Sequence, residues 1–531
     1  MTKYIFVTGG VMSGIGKGIV VASLATLLCE AGIKLTIKKL DPYLNIDSGT
    51  MNPFEHGETF VTRDGLEADL DLGHYERFTD IKTNKNSIIT SGKIYSAIFE
   101  KERKGEFLGQ TVQMIPHVSN EIKEFIQRDN KEYDLILVEI GGTVGDIEGM
   151  IHVEAIRQMV GKYGRKNVLN IHLTYIPFLK VSEEFKTKPA QDSVKKLMQA
   201  GIQPDIIVCR YETDDAPANF GKKIAQYSNL KEKYIIMAPN IDSIYKIPYI
   251  YFQQGFHKRV MKLLKIKKTL EKTQWKNITY TLDHLKGKIT VNLVVKYAYK
   301  DAYISLIEAL KHAAYFIKKD IEIKWIDARN LSEKGLLETL KKIKGGILVP
   351  GGFGESGVEN KIRAIKYARE NNIPYLGICY GMQLMAIEFA RNVLKIKDAT
   401  TQEIDPDNKY PHIVHIIDDK ETKLGGTMRL GDYDGIITKG SLAEKVYKST
   451  KFTERHRHRY EINTKYRKDF EKNGFVFSGT SGNNVYMEIA EITDKKFYLG
   501  VQYHPELNST IFVPNPSILA FVSAINMAIL Q

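Results

Sequence analysis

One lysine and one cysteine of this sequence stand in glycine-rich turns where each could do chemistry. Lys17 lies in the run Gly9-Gly-Val-Met-Ser-Gly-Ile-Gly-Lys-Gly18, between the apolar residues 4–8 and a helix-like pattern from Ile19 to Cys29. This order of strand, glycine loop and helix is typical of a phosphate-binding loop, in which backbone N–H groups and a lysine face the anion. The alternative is a tight turn before an ordinary helix.

The loop departs from the usual pattern G-x-x-x-x-G-K-[ST] at two positions. Val11 replaces the first glycine, and Gly18 replaces the residue whose hydroxyl usually holds Mg²⁺. The metal ligands must then come from elsewhere, and the candidates are Asp71, in an acid-rich stretch, and Glu139, at the end of an apolar run. Lys39, on a neighbouring predicted strand, could reach the same phosphates. For Asp71 taken alone, a solvated loop carboxylate is the competing interpretation.

The cysteine in question is Cys379, within Gly377-Ile-Cys-Tyr-Gly381. It follows a predicted strand and opens a predicted helix, and glycines two residues before and after it permit the sharp turn of a nucleophile elbow. The positive end of a helix favours a thiolate at this point. A lone cysteine at a strand end more often belongs to a core, so the prediction depends on partners elsewhere in the chain.

Those partners are found in two further motifs. Gly351 and Gly352 follow a predicted strand over 347–350 and could present backbone N–H groups to an oxyanion. His504 is the candidate base, and Glu506 is the carboxylate that would orient its imidazole. Together with the cysteine they predict a thiol-dependent hydrolytic site.

Apolar runs and helix-like segments alternate along both halves of the chain. The predicted buried strands include 34–40, 134–139, 167–174, 205–209, 289–295, 346–350 and 374–378. Alternation with short connections predicts an α/β protein with two doubly wound, parallel-sheet domains, whose ligands bind beyond the carboxyl ends of the strands. The lysine-rich stretch after residue 257 predicts a closing helix and a linker, so the expected division is 1–266, linker 267–286, and 287–531.

Composition limits the classes of function. Three cysteines in 531 residues argue against a disulfide framework and favour a reducing, cytoplasmic compartment. No charge-free run is long enough to span a bilayer, so no membrane partner is expected. The net charge of +13 suits bound polyphosphates or lysine-rich surfaces. Because no arginine-rich arm or aromatic-basic ladder is present, no nucleic-acid partner is expected.

Several motifs resemble those of known families. The second half resembles the class I glutamine amidotransferases through Pro350-Gly-Gly-Phe-Gly, Gly377-Ile-Cys-Tyr-Gly-Met-Gln383 and His504-Pro-Glu506. The first half resembles the amidoligase domain of the CTP synthase family, through Lys39-Leu-Asp-Pro-Tyr, Asp69-Leu-Asp-Leu-Gly-His-Tyr, Val138-Glu-Ile-Gly-Gly-Thr-Val-Gly-Asp-Ile-Glu148 and Lys186-Thr-Lys-Pro. The motifs Leu424-Gly-Gly-Thr-Met-Arg-Leu-Gly and Glu454-Arg-His-Arg-His-Arg-Tyr-Glu extend this resemblance over nearly the whole chain.

The resemblance implies a glutamine-hydrolysing ligase of pyrimidine nucleotide biosynthesis. ATP, with Mg²⁺, would phosphorylate O4 of UTP in the N-terminal amidoligase domain. Ammonia from glutamine hydrolysis at Cys379 would then attack C4 and displace phosphate, giving CTP. The order is chemically reasonable because a pyrimidine carbonyl oxygen is a poor leaving group until it is phosphorylated.

Matching motif by motif, the resemblance also implies binding residues. Those for ATP are Gly14, Ile15, Gly16, Lys17, Gly18, Lys39 and Asp71, and the metal ligands are Asp71 and Glu139. Those for UTP, or for CTP as a product inhibitor, are Ser13, Asp146, Ile147, Glu148, Lys186, Thr187, Lys188, Pro189, Ala190, Gln191 and Lys223. Those for glutamine are Gly352, Tyr380, Gly381, Met382, Gln383, Glu403 and Arg459, beside the catalytic Cys379, His504 and Glu506.

The family further implies GTP as an allosteric activator and a homotetramer built as a dimer of dimers. The chain departs from the family pattern at several positions. Ala190 and Asp192 replace a threonine and a histidine, and Tyr380 replaces a leucine. Ser356 replaces an arginine and Val295 a glycine on the face where GTP is thought to act, so weak activation by GTP is expected.

Two other functions remain open from the residues themselves. One is a phosphate-loop ATPase switch or filament-forming protein with a vestigial glutaminase domain. The presence of all three residues Cys379, His504 and Glu506 argues against a glutaminase domain that has lost its function. The other is a glutamine-dependent amidoligase with a different acceptor, because basic residues near a phosphate site do not identify the base.

Overall fold

The computed structural model describes residues 1–49, 51–212, 220–296, 298–417 and 428–530. Its strands are β1 (Lys3–Gly9), β2 (Leu35–Asp41), β3 (Phe60–Val61), β4 (Glu67–Ala68), β5 (Ile88–Thr90), β6 (Leu135–Ile140), β7 (Val168–Ile176), β8 (Phe178–Leu179), β9 (Glu184–Phe185), β10 (Ile206–Tyr211), β11 (Ile235–Pro239), β12 (Lys288–Val295), β13 (Asp320–Asp327), β14 (Gly346–Val349), β15 (Tyr375–Ile378), β16 (Thr400–Thr401), β17 (His412–Ile416), β18 (Arg429–Ile437), β19 (Lys451–His458), β20 (Tyr460–Ile462), β21 (Phe475–Ser481), β22 (Met487–Ile492) and β23 (Tyr498–Val501). All the strands predicted from the apolar runs are present.

Its α-helices are α1 (Lys17–Glu30), α2 (Pro53–His56), α3 (Asp71–Phe78), α4 (Ser91–Arg103), α5 (Ser119–Gln127), α6 (Met150–Tyr163), α7 (Lys188–Gln199), α8 (Phe220–Tyr227), α9 (Ile247–Gln253), α10 (Phe256–Leu263), α11 (Trp275–Asp283), α12 (Ile304–Phe316), α13 (Glu333–Leu340), α14 (Val358–Glu370), α15 (Tyr380–Asn392), α16 (Leu442–Tyr447), α17 (Arg467–Lys472) and α18 (Pro516–Leu530). Within the described ranges, none of them is long and apolar enough to cross a membrane. Residues 424–427 of one family motif and Tyr297 lie outside the described residues.

Seven parallel strands, in the order β11-β10-β7-β1-β6-β2-β5, form the main sheet of the first unit, which comprises Met1–Thr50 and Asp71–Asp283. Tyr4 and Phe6 of the central strand β1 pack in one apolar cluster with side chains from α4, α5 and α6. Ile5 and Val7 alternate with them and are also fully buried. Because successive strand residues point to opposite faces, the sheet is covered on both sides.

The parallel order fixes where the polar loops of this unit collect. Strands β1, β6, β7 and β10 are neighbours and run the same way, so their carboxyl ends lie at one edge. The glycine loop follows β1, residues 141–148 follow β6, and the segment leading to α7 follows β7. This edge is where open α/β sheets bind ligands.

The second unit comprises Met51–Leu70 and His284–Gln531, and its main sheet is mixed. Strands β13, β12, β14, β15 and β23 are parallel, as predicted. The sheet then continues through β22, β21, β18 and β19, which pair antiparallel. A short turn joins β22 to β23, and a parallel pair needs a much longer crossover, so these two strands run antiparallel.

Residues 51–70 belong to the second unit although they precede most of the first unit in sequence. Buried Arg455 donates from Nη1 to the Val61 carbonyl oxygen at 3.0 Å. Arg457 donates from Nε to Glu67 at 2.7 Å. The domain limits proposed from sequence stay a prediction, and contacts assign this short segment to the C-terminal unit.

Candidate active sites

The glycine loop of the first unit folds around Lys17, the first residue of α1. Gly14 and Gly16 both have left-handed backbone angles, with φ of 69° and 94°, which favour glycine. The lysine side chain crosses Gly9, where an added Cβ would lie 2.8 Å from its Cδ atom. Its Nζ donates to the Gly142 carbonyl oxygen at 2.8 Å. The ammonium therefore lies at the carboxyl ends of two neighbouring strands, β1 and β6.

Gly18 has a steric reason to lack a side chain. A Cβ built there would lie 2.7 Å from Oδ1 of Asp71 and 3.6 Å from Oε2 of Glu139. The two carboxylates predicted as metal ligands are thus brought together beside the loop. They occupy the room that a serine or threonine would need at this position.

Glu139 is buried and Asp71 is partly buried, and the two carboxylates differ in their electrostatics. Lys39 forms an ion pair with Asp71 and lies 3.3 Å from Asp41. Burial alone would raise the pKa of Asp71. The positive charge of Lys39 has the larger effect, so the pKa of Asp71 is lowered. Burial and then the Asp71 charge raise the pKa of Glu139 to about 7, while the Tyr75 hydroxyl donates to it at 2.5 Å. A divalent cation would relieve this repulsion, and carboxylate oxygens suit Mg²⁺.

An apolar pocket beside the loop was missed by sequence reasoning. It is lined by Ile15, Ile19, Val20, Ala238, Pro239 and Ile241, among others. Arg210 borders it and donates from Nη1 to the Gly14 carbonyl oxygen at 3.4 Å. The signal available in the sequence was the buried run ending at Pro239, because the segment after it must lie at the same sheet edge as the loop. A flat apolar ring fits such a pocket.

Helix α7 begins with four of the eleven residues proposed for the uridine nucleotide and packs against the start of the glycine loop. A Cβ on Gly10 would lie 1.7 Å from the Ser193 hydroxyl oxygen. His172 links the two elements, because its Nε2 bonds to Ser193 at 2.7 Å and its Nδ1 to Thr8 at 2.9 Å. Burial lowers the pKa of His172 to about 3, so it is a neutral linker. Sequence reasoning did not identify this network.

The other residues proposed for UTP or CTP differ in exposure. Ser13, Asp146, Ile147, Glu148, Lys188 and Lys223 are exposed, and Lys186, which pairs with Glu184, is partly buried, as is Pro189. Thr187 is buried and accepts a hydrogen bond from Gln191 at 3.0 Å. Ala190 is fully buried in an apolar cluster, so its methyl group faces the core.

The nucleophile elbow predicted at Cys379 has the required strain. Cys379 has φ of 50° and ψ of −104° and directly precedes α15. A Cβ at Gly377 would lie 2.7 Å from the Tyr375 hydroxyl oxygen, and one at Gly381 would lie 2.1 Å from the Val349 carbonyl oxygen. Both flanking positions therefore require glycine. Strain of this kind at a non-glycine residue is typical of functional sites.

His504 and Glu506 lie at this elbow. His504 Nδ1 is 2.8 Å from Oε1 of Glu506, and the imidazole is close enough to Cys379 for the two groups to interact electrostatically. Burial would lower the pKa of His504, but the Glu506 and Cys379 charges outweigh it and raise that pKa to about 10. A Cβ on Gly351 would lie 2.6 Å from Cε1 of His504, so the glycine allows this close approach. Gln502, which the sequence did not single out, donates toward the Cys379 sulfur at 3.7 Å.

The residues proposed for glutamine surround the same loop. Gly354 donates its N–H to Oε1 of Glu403 at 2.9 Å and accepts the Tyr380 hydroxyl at 3.0 Å. Arg459 is exposed and acts electrostatically on Glu403. Gly352, beside the loop, is exposed. Gly381, Met382 and Gln383 are buried in the first turn of α15, where Gln383 donates to the Tyr460 carbonyl oxygen at 2.9 Å.

Two of the departures from the family pattern lie close to this loop. Val295 is fully buried at the end of β12, and the next residue, Lys296, donates from Nζ to the Phe353 carbonyl oxygen at 3.4 Å. Ser356 is partly exposed, two residues after Gly354.

Comparisons with known proteins match both halves of the chain to known families. A family model described as CTP synthase N-terminus matches residues 3–266, and one described as Glutamine amidotransferase class-I matches residues 298–523. A protein named CTP synthase from Hydrogenobaculum sp. (strain Y04AAS1) is 50% identical, over 98% of this chain and 97% of its own. Another, from Bacillus subtilis (strain 168), is 50% identical, over 99% and 98%.

Among solved structures, the Trypanosoma brucei CTPS glutaminase domain with bound acivicin is 36% identical. It covers 45% of this chain and 94% of that one, with a TM-score of 0.43. The full-length identities and the two family models confirm the expected family and the expectation of a glutamine-hydrolysing ligase, and the two sheets confirm the α/β class. The chain belongs to the CTP synthase family.

Proposed function

We propose that the protein aminates UTP to CTP with ATP and glutamine. ATP transfers its γ-phosphoryl group to O4 of UTP, and ADP leaves. Hydrolysis of glutamine gives glutamate and ammonia, and ammonia displaces phosphate from C4. The observation that carries the proposal is the Cys379 elbow with His504 and Glu506, on a chain that also holds a phosphate loop with two carboxylates.

In the first unit, the chain's own residues bind and orient the phosphates. Lys17 and Lys39 supply positive charge, the loop amides face the anion, and the apolar pocket beside Gly16 takes the adenine ring. Asp71 and Glu139 would hold Mg²⁺, whose charge offsets that of the transferring phosphoryl group. Among the described residues, no group of three or more metal-ligating side chains occurs, so a bound Mg²⁺ would take its further ligands from phosphate oxygens and water.

In the second unit, the Cys379 sulfur attacks the carboxamide carbon of glutamine. The N–H groups of Gly352 and Tyr380 stabilise the oxyanion, since Tyr380 begins α15 and its N–H has no intrahelical acceptor. His504 gives its proton to the departing ammonia and then takes one from the water that cleaves the thioester. Glu506 holds the imidazole in orientation through Nδ1.

The same proposed binding residues also suggest how CTP and GTP regulate the enzyme. CTP carries the triphosphate of UTP and competes for the basic residues on and near α7. GTP stimulation is weak, because Ser356 offers one neutral hydroxyl where relatives have an arginine that can bind a nucleotide by stacking or a charge-assisted bond. A GTP titration of glutaminase turnover in wild type and Ser356→Arg tests this. Strong stimulation of the wild type that the arginine does not increase would contradict it.

The experiment that tests the function is CTP formation from UTP and MgATP, with glutamine or ammonium chloride as the nitrogen source. CTP should appear with both sources and require both nucleotides. An amidoligase with another acceptor would consume ATP and glutamine without forming CTP. An ATPase switch would hydrolyse ATP without any amination.

A further inference from the structure

Glu454 is a buried carboxylate of the glutaminase unit that accepts hydrogen bonds from three neutral side chains. It lies on β19 and is 3% exposed. Asn508 donates to it from Nδ2 at 2.7 Å, Asn515 does the same at 2.7 Å, and the Tyr447 hydroxyl donates at 3.0 Å. Burying a carboxylate is unfavourable unless hydrogen bonds replace its lost hydration, so the carboxylate and its three donors hold one another in place.

One of these donors belongs to the segment that carries both partners of the catalytic cysteine. His504 immediately precedes the short turn Pro505–Asn508, and residues 504–508 are called the catalytic turn below. The first residue of this turn donates its backbone N–H to the Arg455 carbonyl oxygen at 2.7 Å. The last residue donates its side-chain amide to Glu454. Two neighbouring residues of β19 therefore hold both ends of the catalytic turn.

The other two donors are themselves held in place. Asn515 accepts the N–H and the hydroxyl of Ser517 through Oδ1, at 3.0 and 2.8 Å, so its Nδ2 must point toward Glu454. The Tyr447 and Tyr503 hydroxyls are 2.7 Å apart, which links Glu454 to the residue just before the catalytic turn. A carboxylate suits this position because it accepts on both oxygens, whereas an amide would turn an N–H toward one of the donors.

We propose that Glu454 is a positioning residue for glutamine hydrolysis, which fixes the catalytic turn through Asn508. The turn in this place keeps the His504 imidazole near the Cys379 sulfur. Glu454 touches neither the substrate nor the sulfur, and it acts only through the residues of the turn. This inference rests on the proposed glutaminase activity and deepens it. A displacement of the base by about 1 Å can cost roughly 10²-fold in rate.

The charges around Glu454 suggest how this contact can be tested. Burial raises the pKa of Glu454 to about 7, the three donors act in the opposite direction, and Asp432 on β18 adds to the rise. The other titratable groups on the elements around it are Tyr433, Tyr447, His456, Tyr503, His504 and Glu506. A second carboxylate placed against Glu454 would share one proton with it around neutral pH. The pair would lose that proton only as pH rises further.

The variant Asn508→Asp places this second carboxylate at the end of the catalytic turn. The pair keeps a hydrogen bond while it holds one proton, and its two charges repel each other once the proton is lost. In ammonia release from glutamine, kcat should match wild type within about twofold near about pH 6 and fall roughly 10- to 100-fold below wild type near about pH 9, with KM unchanged. Wild type should keep its rate there, because the pKa of His504 is raised to about 10.

The exchange variant Glu454→Gln/Asn508→Asp restores the bond with donor and acceptor reversed. The amide N–H at residue 454 then donates to the carboxylate at 508, and its oxygen still accepts from Asn515 and Tyr447. At about pH 9, kcat should return to within about threefold of wild type. Thr510→Asp is the matched control and should keep the wild-type profile. It adds the same charge two residues along, where the side chain accepts the Val513 N–H at 3.0 Å.

A wild-type pH profile in Asn508→Asp would overturn the proposal. So would a loss that the exchange variant does not reverse, because the new carboxylate would then act on His504 directly. CTP synthesis from ammonium chloride, compared with wild type at each pH, checks that every variant is folded. If the exchange variant failed to fold, the recovery of Asn508→Asp at low pH would decide alone. If wild type released no ammonia from glutamine at any pH, the proposed function itself would fail, which is a distinct result.

Discussion

His504 holds its proton between the Glu506 carboxylate and the Cys379 sulfur, and this has a consequence for pH. The pKa of His504 is raised to about 10 despite burial, so the imidazolium persists through neutral pH. In Glu506→Gln the opposing charge is gone and the pKa of His504 should fall. The alkaline limb of kcat/KM for glutamine should then move to lower pH, and kcat should drop by about 10²-fold or more.

A pH profile of glutamine hydrolysis in Glu506→Gln and wild type checks this prediction. Synthesis from ammonium chloride serves as the control, because Glu506 has no part in phosphorylation. An alkaline limb at the same pH in both proteins would show that Glu506 does not set the imidazole's charge.

Gly18 gives a prediction that runs against the usual sequence motif. Gly18→Ser restores the hydroxyl of a phosphate-binding loop, but its Cβ would lie 2.7 Å from the Asp71 oxygen. The Asp71 side chain is held by Lys39 and cannot move without breaking that ion pair. The substitution should therefore abolish CTP synthesis from both nitrogen sources. The measurement is the ammonia-dependent rate.

Gly161→Ala is the matched control for that substitution. Gly161 lies in α6, where an added Cβ meets nothing within 4 Å. Alanine in a helix interior should stabilise the protein by roughly 0.5–1 kcal/mol and leave activity unchanged. If Gly18→Ser were as active as this control, the two carboxylates would not adjoin the loop as described.

At the scale of elements, α7 presents a helix N-terminus and Lys188 to the proposed nucleotide. Lys188 pairs with Asp192 at 3.0 Å, one turn along the same helix, and both side chains are exposed. This carboxylate stands where the resembled family pattern has a histidine, and it offsets the positive charge that Lys188 offers to a triphosphate. Asp192→Asn should lower the KM for UTP and the inhibition constant of CTP together, by roughly two- to fivefold at low salt.

The measurement is CTP inhibition against UTP at low and high ionic strength. The gain should shrink at high salt, because an exposed charge is screened. Lys195→Met, on an exposed part of the same helix, controls for a general change in surface charge. Unchanged constants at low salt would mean that the start of α7 does not face the triphosphate.

The elements themselves were largely predictable from sequence, and their buried polar contacts were not. Apolar runs predicted the parallel strands correctly, because a parallel sheet covered on both faces buries every side chain along its strands. The elbow at Cys379 was predictable because the glycines two residues before and after it leave the room that a sharp turn between strand and helix needs. The buried His172 network was missed, because periodicity does not say which polar side chain a fold will bury. The antiparallel strands β18, β19, β21 and β22 were missed because polar and charged residues interrupt their apolar runs, as in Thr453-Glu-Arg-His-Arg-His458 of β19.

At the scale of the whole molecule, the central claim is that one chain carries two chemically separate sites. In the proposed function, the thiol releases ammonia and has no part in phosphorylating UTP, whereas the phosphate loop has no part in hydrolysing glutamine. The chain divides into two units, with Cys379 in one and Lys17 in the other. Removal of the thiol should therefore affect one nitrogen source alone.

The most direct measurement is the rate of CTP formation by Cys379→Ala with each nitrogen source. With ammonium chloride the rate should stay within about twofold of wild type, because phosphorylation and attack at C4 are untouched. With glutamine the rate should fall to background, since no other nucleophile replaces the sulfur. An equal loss with both sources would contradict the account of two separate sites.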